Sequence, residues 1–192
     1  MAAVLCCGAL VLMAGCGSSP EPVDSMSVGD WAETKMVAAK DGKPHDVKIR
    51  ITKIETDPAA VKKEIDKFNV SGYGSTLPTD PGAGELEYRI ASYEVAFPKD
   101  FPEGEEGIMD VFPDFAVTSE NGEETIVIDN VKYEGLNDVV HISRPEEGYG
   151  FYAGSTYKGK MVFVMVKGCG AYRIVQRHEE EGETVNTYFL PE

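Results

Sequence analysis

Val47, Ile49 and Ile51 alternate with Lys48, Arg50 and Thr52. A period of two marks a strand with one wet face. The run from Thr34 to Ala39 precedes it, and Lys40-Asp41-Gly42-Lys43 lies between them. The two runs are therefore expected to form a hairpin whose glycine accepts positive φ. Leu86, Tyr88 and Ile90 keep the same period, and Tyr93, Val95 and Phe97 resume it on the opposite parity. A parity change inside one run predicts a bulge near Ala91-Ser92. Phe115 and Val117 lead into a second turn, Glu120-Asn121-Gly122-Glu123, with Ile126-Val127-Ile128 as the expected returning strand. Met161 to Val166 is apolar on both parities, which fits a strand covered on both sides or central in its sheet. Tyr172 to Gln176, the acidic turn Glu179-Glu180-Glu181-Gly182 and Val185 to Leu190 make a closing hairpin. Seven or more short strands at this spacing predict an all-β sandwich or barrel.

One segment breaks the pattern. Asp57-Pro58 is a cap followed by proline at the first helical position. From Ala59 to Phe68 the composition is helical, with Val61, Ile65 and Phe68 on one face, and Asn69-Val70-Ser71-Gly72 ends the run. A long Gly/Pro/Thr-rich loop over 72–84 follows. Helix and loop, about 57–84, are expected to be an insertion between two strands. Loops of this length are often functional or disordered.

The first charged residue is Glu21. Before it, residues 1–15 read as an apolar core ending in small side chains, the pattern of a targeting signal. They are too few for a bilayer-spanning helix. Met13-Ala14-Gly15-Cys16 resembles the bacterial lipobox, where small residues let the extended chain enter a narrow peptidase site. That resemblance implies cleavage before Cys16 and diacylglyceryl attachment to its thiol. Residues 16–27 begin Gly17-Ser18-Ser19-Pro20, a flexible tether, and residues 28–192 form the folded domain. With Cys6 and Cys7 in the signal and Cys16 acylated, Cys169 is left alone. A small buried hydrophobe is the ordinary role for such a residue. Trp31, the only tryptophan, is expected to plug one end of the core. The Cys…Trp…Cys pattern of antibody domains is missing.

At 192 residues the chain fits one domain. It carries 33 acidic against 18 basic residues, a formal charge of −15. Nucleic-acid binders usually show a basic patch or stripe, and polybasic segments draw proteins to anionic lipid. This balance argues against both.

The stretch Gly154-Ser155-Thr156-Tyr157-Lys158-Gly159-Lys160, followed by Met161-Val162-Phe163-Val164, resembles a turn-plus-strand of a known family. The family is the telokin-like, immunoglobulin-like domains of unknown function on Gram-positive lipoproteins and secreted proteins. Val28-Gly29-Asp30 and the Glu94-Val95-Ala96-Phe97 strand fit the same pattern. The resemblance spans roughly residues 28–190. It implies an immunoglobulin-like, two-sheet antiparallel β-sandwich at an extracytoplasmic site, and it carries no catalytic residues.

Chemistry is sparse. His45, His141 and His178 are scattered, with no metal-ligand spacing among them and no H-E-x-x-H helix. No G-x-S-x-G elbow is present. Gly148 to Gly154 lacks the strand-to-helix setting of a dinucleotide loop and reads as a turn. Asn69-Val70-Ser71 matches a glycosylation sequon by chance. The acidic clusters around Glu103, Glu120, Glu146 and Glu179 lack the regular spacing of a calcium loop and read as solvated loops. Neither metal nor cofactor is expected. Tyr149, Phe151, Tyr152 and Tyr157, with Tyr73 in the insertion, form the candidate binding surface, since exposed rings beside carboxylates grip peptides or sugars. The ordinary alternative is that they cover one end of the sandwich. The resulting expectation is a non-catalytic, lipid-anchored domain on the outer membrane face that contacts an envelope protein, peptide or glycan. The alternatives are a metal-binding or stress-shielding lipoprotein and an envelope hydrolase with an unfamiliar site.

Overall fold

The computed structural model describes residues 24–191, except 39, 72–75, 79, 83, 104–112, 129–130, 134–137 and 143–151. Among the described residues, ten strands and one helix follow in chain order. They are β1 (Ala32–Val37), β2 (Pro44–Glu55), α1 (Pro58–Val70), β3 (Leu86–Ala96), β4 (Asp114–Ser119) and β5 (Ile126–Ile128). Then come β6 (Val131–Tyr133), β7 (Val139–His141), β8 (Thr156–Val166), β9 (Tyr172–Glu180) and β10 (Glu183–Phe189). A five-stranded sheet runs β1-β2-β3-β8-β7, a three-stranded sheet β10-β9-β4, and β5 pairs with β6. All these ladders are antiparallel. The fold is thus an all-β two-sheet sandwich with one inserted helix.

Alternation explains the main core. Ile49 and Ile51 of β2, Tyr93 and Val95 of β3, and Met161, Phe163 and Met165 of β8 point inward from the large sheet. Phe115, Val117, Tyr172, Ile174 and Phe189 meet them from the small one. The β1–β2 hairpin turns at Gly42, whose φ is 67°. The β9–β10 hairpin has only two loop residues between Glu180 and Glu183. Both of them, Glu181 (φ 53°) and Gly182 (φ 85°), are left-handed. Two positive φ values in a two-residue loop match the twist of the flanking strands.

The helix accounts for the strands that read as apolar on both sides. Asp57 caps it by accepting from the Ala59 N–H, and Val61, Ile65 and Phe68 are its buried residues. Val61 and Ile65 pack on Ile90 of β3 and Val162 of β8, and Lys160 reaches Glu64 at 2.7 Å. Each such apolar side chain contributes roughly 1.5–3 kcal/mol by burial. The outer face of the large sheet is therefore dry where α1 crosses it. Asn69 ties down the chain after the helix, donating to the Leu77 carbonyl at 2.9 Å and accepting from its N–H at 2.8 Å.

Three expectations are corrected. β3 runs in unbroken register against β8 from Leu86 to Ala96, so the extra residue is not in β3 at Ala91-Ser92, although the β2–β3 ladder does shift beside Ser92, between the pairings of Tyr93 and Ser92. The irregularity is on β2 between Ile51 and Lys53, and the apparent parity change arises because Ile90 faces the helix. β5 does not return along β4. The turn closes, with Ser119 N–H on the Glu123 carbonyl at 2.8 Å, but Ile126 enters the core, and β4 pairs with β9 instead. Trp31 is outside the main core. Ala32, Thr34 and Met36 take the inward parity of β1, which puts Trp31 on the outer side, where the Arg50 guanidinium stacks 4.4 Å from its ring centre.

One end of the sandwich is closed by Arg89, which is 5% exposed. It donates to the Cys169 carbonyl at 2.6 Å and to Glu87, and it lies over Tyr172. Cys169 is buried there.

Candidate functional site

Among the described residues, the opposite end is open. A five-stranded sheet is faced by a three-stranded one, and the cover runs out where β9 and β10 approach their hairpin. The inward face of β9 records this residue by residue. Tyr172 and Ile174 are core, while Gln176, His178 and Glu180 continue the same parity in polar form. They border a cleft of about 620 Å³ lined by Thr34 and Lys35 of β1, Val47 of β2, Phe97, His178, Glu180 and Val185, among others. A second cleft of about 670 Å³ shares Lys35 and His178 and continues to Asp114, Arg177, Thr184 and Asn186. These volumes lie in the range of small-ligand pockets.

The buried polar groups form a chain with a defined direction. The Gln176 amide nitrogen donates to the Arg177 carbonyl at 2.7 Å, which turns its oxygen toward Thr34. The Thr34 hydroxyl donates to that oxygen at 2.5 Å. With that proton on the Gln176 oxygen, the 3.1 Å contact between Thr34 and His178 Nδ1 is a hydrogen bond when Nδ1 is the donor. His178 Nε2 is left facing the Glu180 carboxylate at 3.8 Å, with only 7% of the imidazole side chain exposed. Glu180 also accepts from the Lys35 ammonium. This bond raises Lys35 above the usual lysine value and holds Glu180 below the usual carboxylate range. Leaving the buried Thr34 or Gln176 unpaired costs about 1–3 kcal/mol, so their bonds hold His178 at the cleft, with the more exposed Lys35 and Glu180 at its border.

The constellation has the residue types of a hydroxyl–imidazole–carboxylate triad but not its proton flow. A nucleophile must hand its proton to the imidazole. Here Thr34 hands it to Gln176. No three of His, Cys, Asp and Glu gather as metal ligands among the described residues.

A second polar cluster lies at the buried Tyr93. The Tyr93 hydroxyl is 2.9 Å from His141 Nδ1. His141 also hydrogen-bonds the Pro113 backbone, and burial holds its imidazole below the usual histidine value. Burial likewise raises Tyr93, with Tyr157 beside it. Gly159 sits opposite Tyr93 in the ladder, and the ring occupies the space a side chain there would need. His45 is elsewhere, at the β1–β2 turn, 2.9 Å from Asp41.

Of the candidate binding surface, Tyr152 is 56% exposed. It sits in a turn whose Gly154 N–H donates to the Pro98 carbonyl at 3.0 Å. Tyr157 is 8% exposed and belongs to the core. Its inward parity on β8 removes it from any contact surface. Tyr73, Tyr149, Phe151 and Cys16, the expected lipidation residue, lie outside the described residues. Alternation alone did not reveal the cleft. The available signal was the passage of one β9 face from Tyr172 and Ile174 to Gln176, His178 and Glu180 within a single strand. In comparisons with family models, curated proteins and solved structures, nothing matches the chain.

Proposed function

We propose that this protein is a lipid-anchored, extracytoplasmic binding domain, held to the outer face of a bacterial membrane through Cys16 and working by contact rather than by chemistry. The carrying observation is the preformed cleft, with its apolar lining from Val47, Phe97 and Val185 and a charged border of Lys35 and Glu180. Concave apolar surfaces with a few placed polar groups are the usual form of binding sites. The Met13–Cys16 match and the Gly/Ser/Pro tether support the anchor, and the likeness to telokin-like, immunoglobulin-like lipoprotein domains supports the same setting. Met26, ten residues beyond Cys16, bridges Phe189 at the far end of β10. The Glu181-Gly182 turn therefore lies about 20 Å along β10 from the point where the tether joins, and Val185 at the cleft about 13 Å from it. An anchored domain would hold its cleft away from its attachment.

Two acyl chains give stable anchoring where one is marginal. Cys16→Ser is expected to leave the protein unprocessed or released on membrane fractionation. Equal retention of that variant would defeat the anchored reading.

A hydrolase reading has one observation in its favour, the placement of His178 between Thr34 and Glu180. The committed Thr34 proton opposes it. Covalent labelling of Thr34 by an activated phosphonate, abolished in His178→Asn, would restore it.

A further inference from the structure

Among the described residues, the side of β10 turned away from β9 is open along most of its length, and it lies beside the cleft. Met26 N–H donates to the Tyr188 carbonyl, and Leu190 N–H donates to the Met26 carbonyl, both at 2.8 Å. These two bonds fix which residues of β10 turn their backbone outward. In an antiparallel ladder the direction alternates, so Thr184 and Asn186 share the outward orientation of Tyr188 and Leu190. Their N–H and C=O groups face away from β9. Among the described residues, only Met26 pairs with that side.

Exposed edges ordinarily carry a safeguard such as lysine, proline, a bulge or extreme shortness. β1 carries Lys35, and β7 has three residues. From Glu183 to Phe189, β10 reads ETVNTYF, with no lysine or proline. Its register with β9 is unbroken. Its β-branched residues favour an extended, pleated surface, and Val185 is 37% exposed at the cleft wall.

We propose that β10 is a strand-addition site for an extended, positively charged peptide segment of a partner protein. This rests on the binding-domain reading above. An added strand would satisfy the outward groups of Thr184 and Asn186 and widen the small sheet over the uncovered part of the large one. Its side chains would alternate, one set beside Val185 in the first cleft and the other beside Thr184 and Asn186 in the second. In strand addition, main-chain bonds supply affinity and the pockets supply specificity. The sign of the partner follows from the surroundings. Glu179, Glu181 and Glu183 crowd the hairpin, Glu180 borders the cleft, and the whole chain carries −15. A second copy of this chain would bring the same sign to the edge. The Met26 bridge demonstrates that this edge accepts a main-chain partner.

The probe is an end-capped nine-residue peptide of alternating valine and lysine, titrated by fluorescence anisotropy into the full-length protein in mild detergent. Binding is expected, with slowed hydrogen exchange at the Thr184 and Asn186 amides. Asn186→Pro removes an outward donor and places proline where an edge strand tolerates it. It should weaken binding about tenfold, the equivalent of one or two hydrogen bonds. A probe N-methylated along one edge tests the same bonds on the unaltered protein and should also lose at least that factor. Replacing lysine by glutamate in the probe should abolish binding. Equal affinity of the N-methylated probe, or of the glutamate probe, would overturn the proposal, as would failure of the first peptide to bind. Protection of Thr184 and Asn186 without peptide, together with dimers in sedimentation, would overturn it in favour of a second copy. Release of Cys16→Ser from membranes is read separately, so the anchored reading can survive when this one fails.

Discussion

A single methyl group at Gly159 tests the packing of the deepest part of the sandwich. A β-carbon built there would lie 2.7 Å from Cε1 of Tyr93, with Cζ and the hydroxyl oxygen nearer still. Favourable carbon contacts begin near 3.5 Å, so the ring would have to retreat by about 1 Å or more. It has nowhere to go. Tyr93 is 1% exposed, and Phe115, His141 and Tyr157 surround its ring at centroid distances of 5.0, 5.7 and 6.0 Å. Overpacking of this kind costs about 1–3 kcal/mol. Displacing the hydroxyl also breaks its 2.9 Å bond to His141, leaving a buried polar group at a further cost of about 1–3 kcal/mol. The lower entropy of the unfolded alanine chain returns about 0.4–1 kcal/mol.

Gly159→Ala is therefore expected to destabilise the domain by about 3 kcal/mol. At about 2–4 °C per kcal/mol for a domain of this size, Tm should fall by about 6–12 °C. Urea unfolding followed by circular dichroism measures the free energy, and calorimetry measures Tm. Gly170→Ala is the control, because nothing lies within 4 Å of a β-carbon there. That variant should be neutral or stabilising by up to about 1 kcal/mol, from the same entropy effect. In a Tyr93→Leu background the penalty at Gly159 should largely vanish, giving a coupling of about 0.5–3 kcal/mol. An unchanged Tm for Gly159→Ala, or additive effects of the pair, would refute the placement of the ring on the glycine.

Glu181 occupies a left-handed conformation that costs a residue with a side chain about 1–2 kcal/mol. Glu181→Asn, which creates the preferred residue pair for this loop, should raise stability by about 0.5–1 kcal/mol in urea melts. A loss would show that the turn has another geometry. His141 is held neutral by burial, so the unfolded chain binds a proton that the folded one refuses between the lowered value and about 6.5. Stability should be complete above that pH and decline as pH falls through the window. His141→Asn should flatten the slope between pH 8 and pH 5.5, and an identical slope would remove His141 as its source. Cys169 is 8% exposed and should react with a thiol reagent far more slowly in the native domain than in urea. Labelling at the unfolded rate would show that the Arg89 end of the sandwich is open.

The parts of the fold legible in the sequence are those fixed by neighbours along the chain. Val47, Ile49 and Ile51 declare their inward face through a period of two, and Asp57-Pro58 marks the helix start. Gly42 and Gly182 mark turns because the backbone there needs positive φ. Pairing is different, since it depends on segments far apart. Asp114 lies opposite Arg177, and no local signal after Phe115 and Val117 distinguishes that partner from the nearer Ile126. The bulge expected within β3 at Ala91-Ser92 has the same origin. An apolar residue on the wrong parity records whatever covers the sheet, and the cover of Ile90 is a helix from another part of the chain. The size of Trp31 points to the core, whereas strand parity puts it on the outer face with Arg50.

The site was harder to read for a related reason. Tyrosines in a glycine-rich stretch attract attention, yet parity alone commits Tyr157 to the core, as its 8% exposure confirms. The cleft is announced by residues that look ordinary singly. Gln176 is 1% exposed, and a glutamine so deep is tolerated only when its amide is satisfied. Its partners come from two places, Arg177 beside it and Thr34 across the sandwich, and Thr34 in turn meets His178. A sandwich that needed only to close would place apolar side chains at these positions and dispense with the chain of bonds. Instead the inward face of β9 turns polar while still covered, and β10 leaves the hairpin end unroofed. Both features lie on the two strands farthest along the sequence from the tether. Stability does not require this arrangement, and the unpaired edge beside it is where a partner's backbone would complete the small sheet.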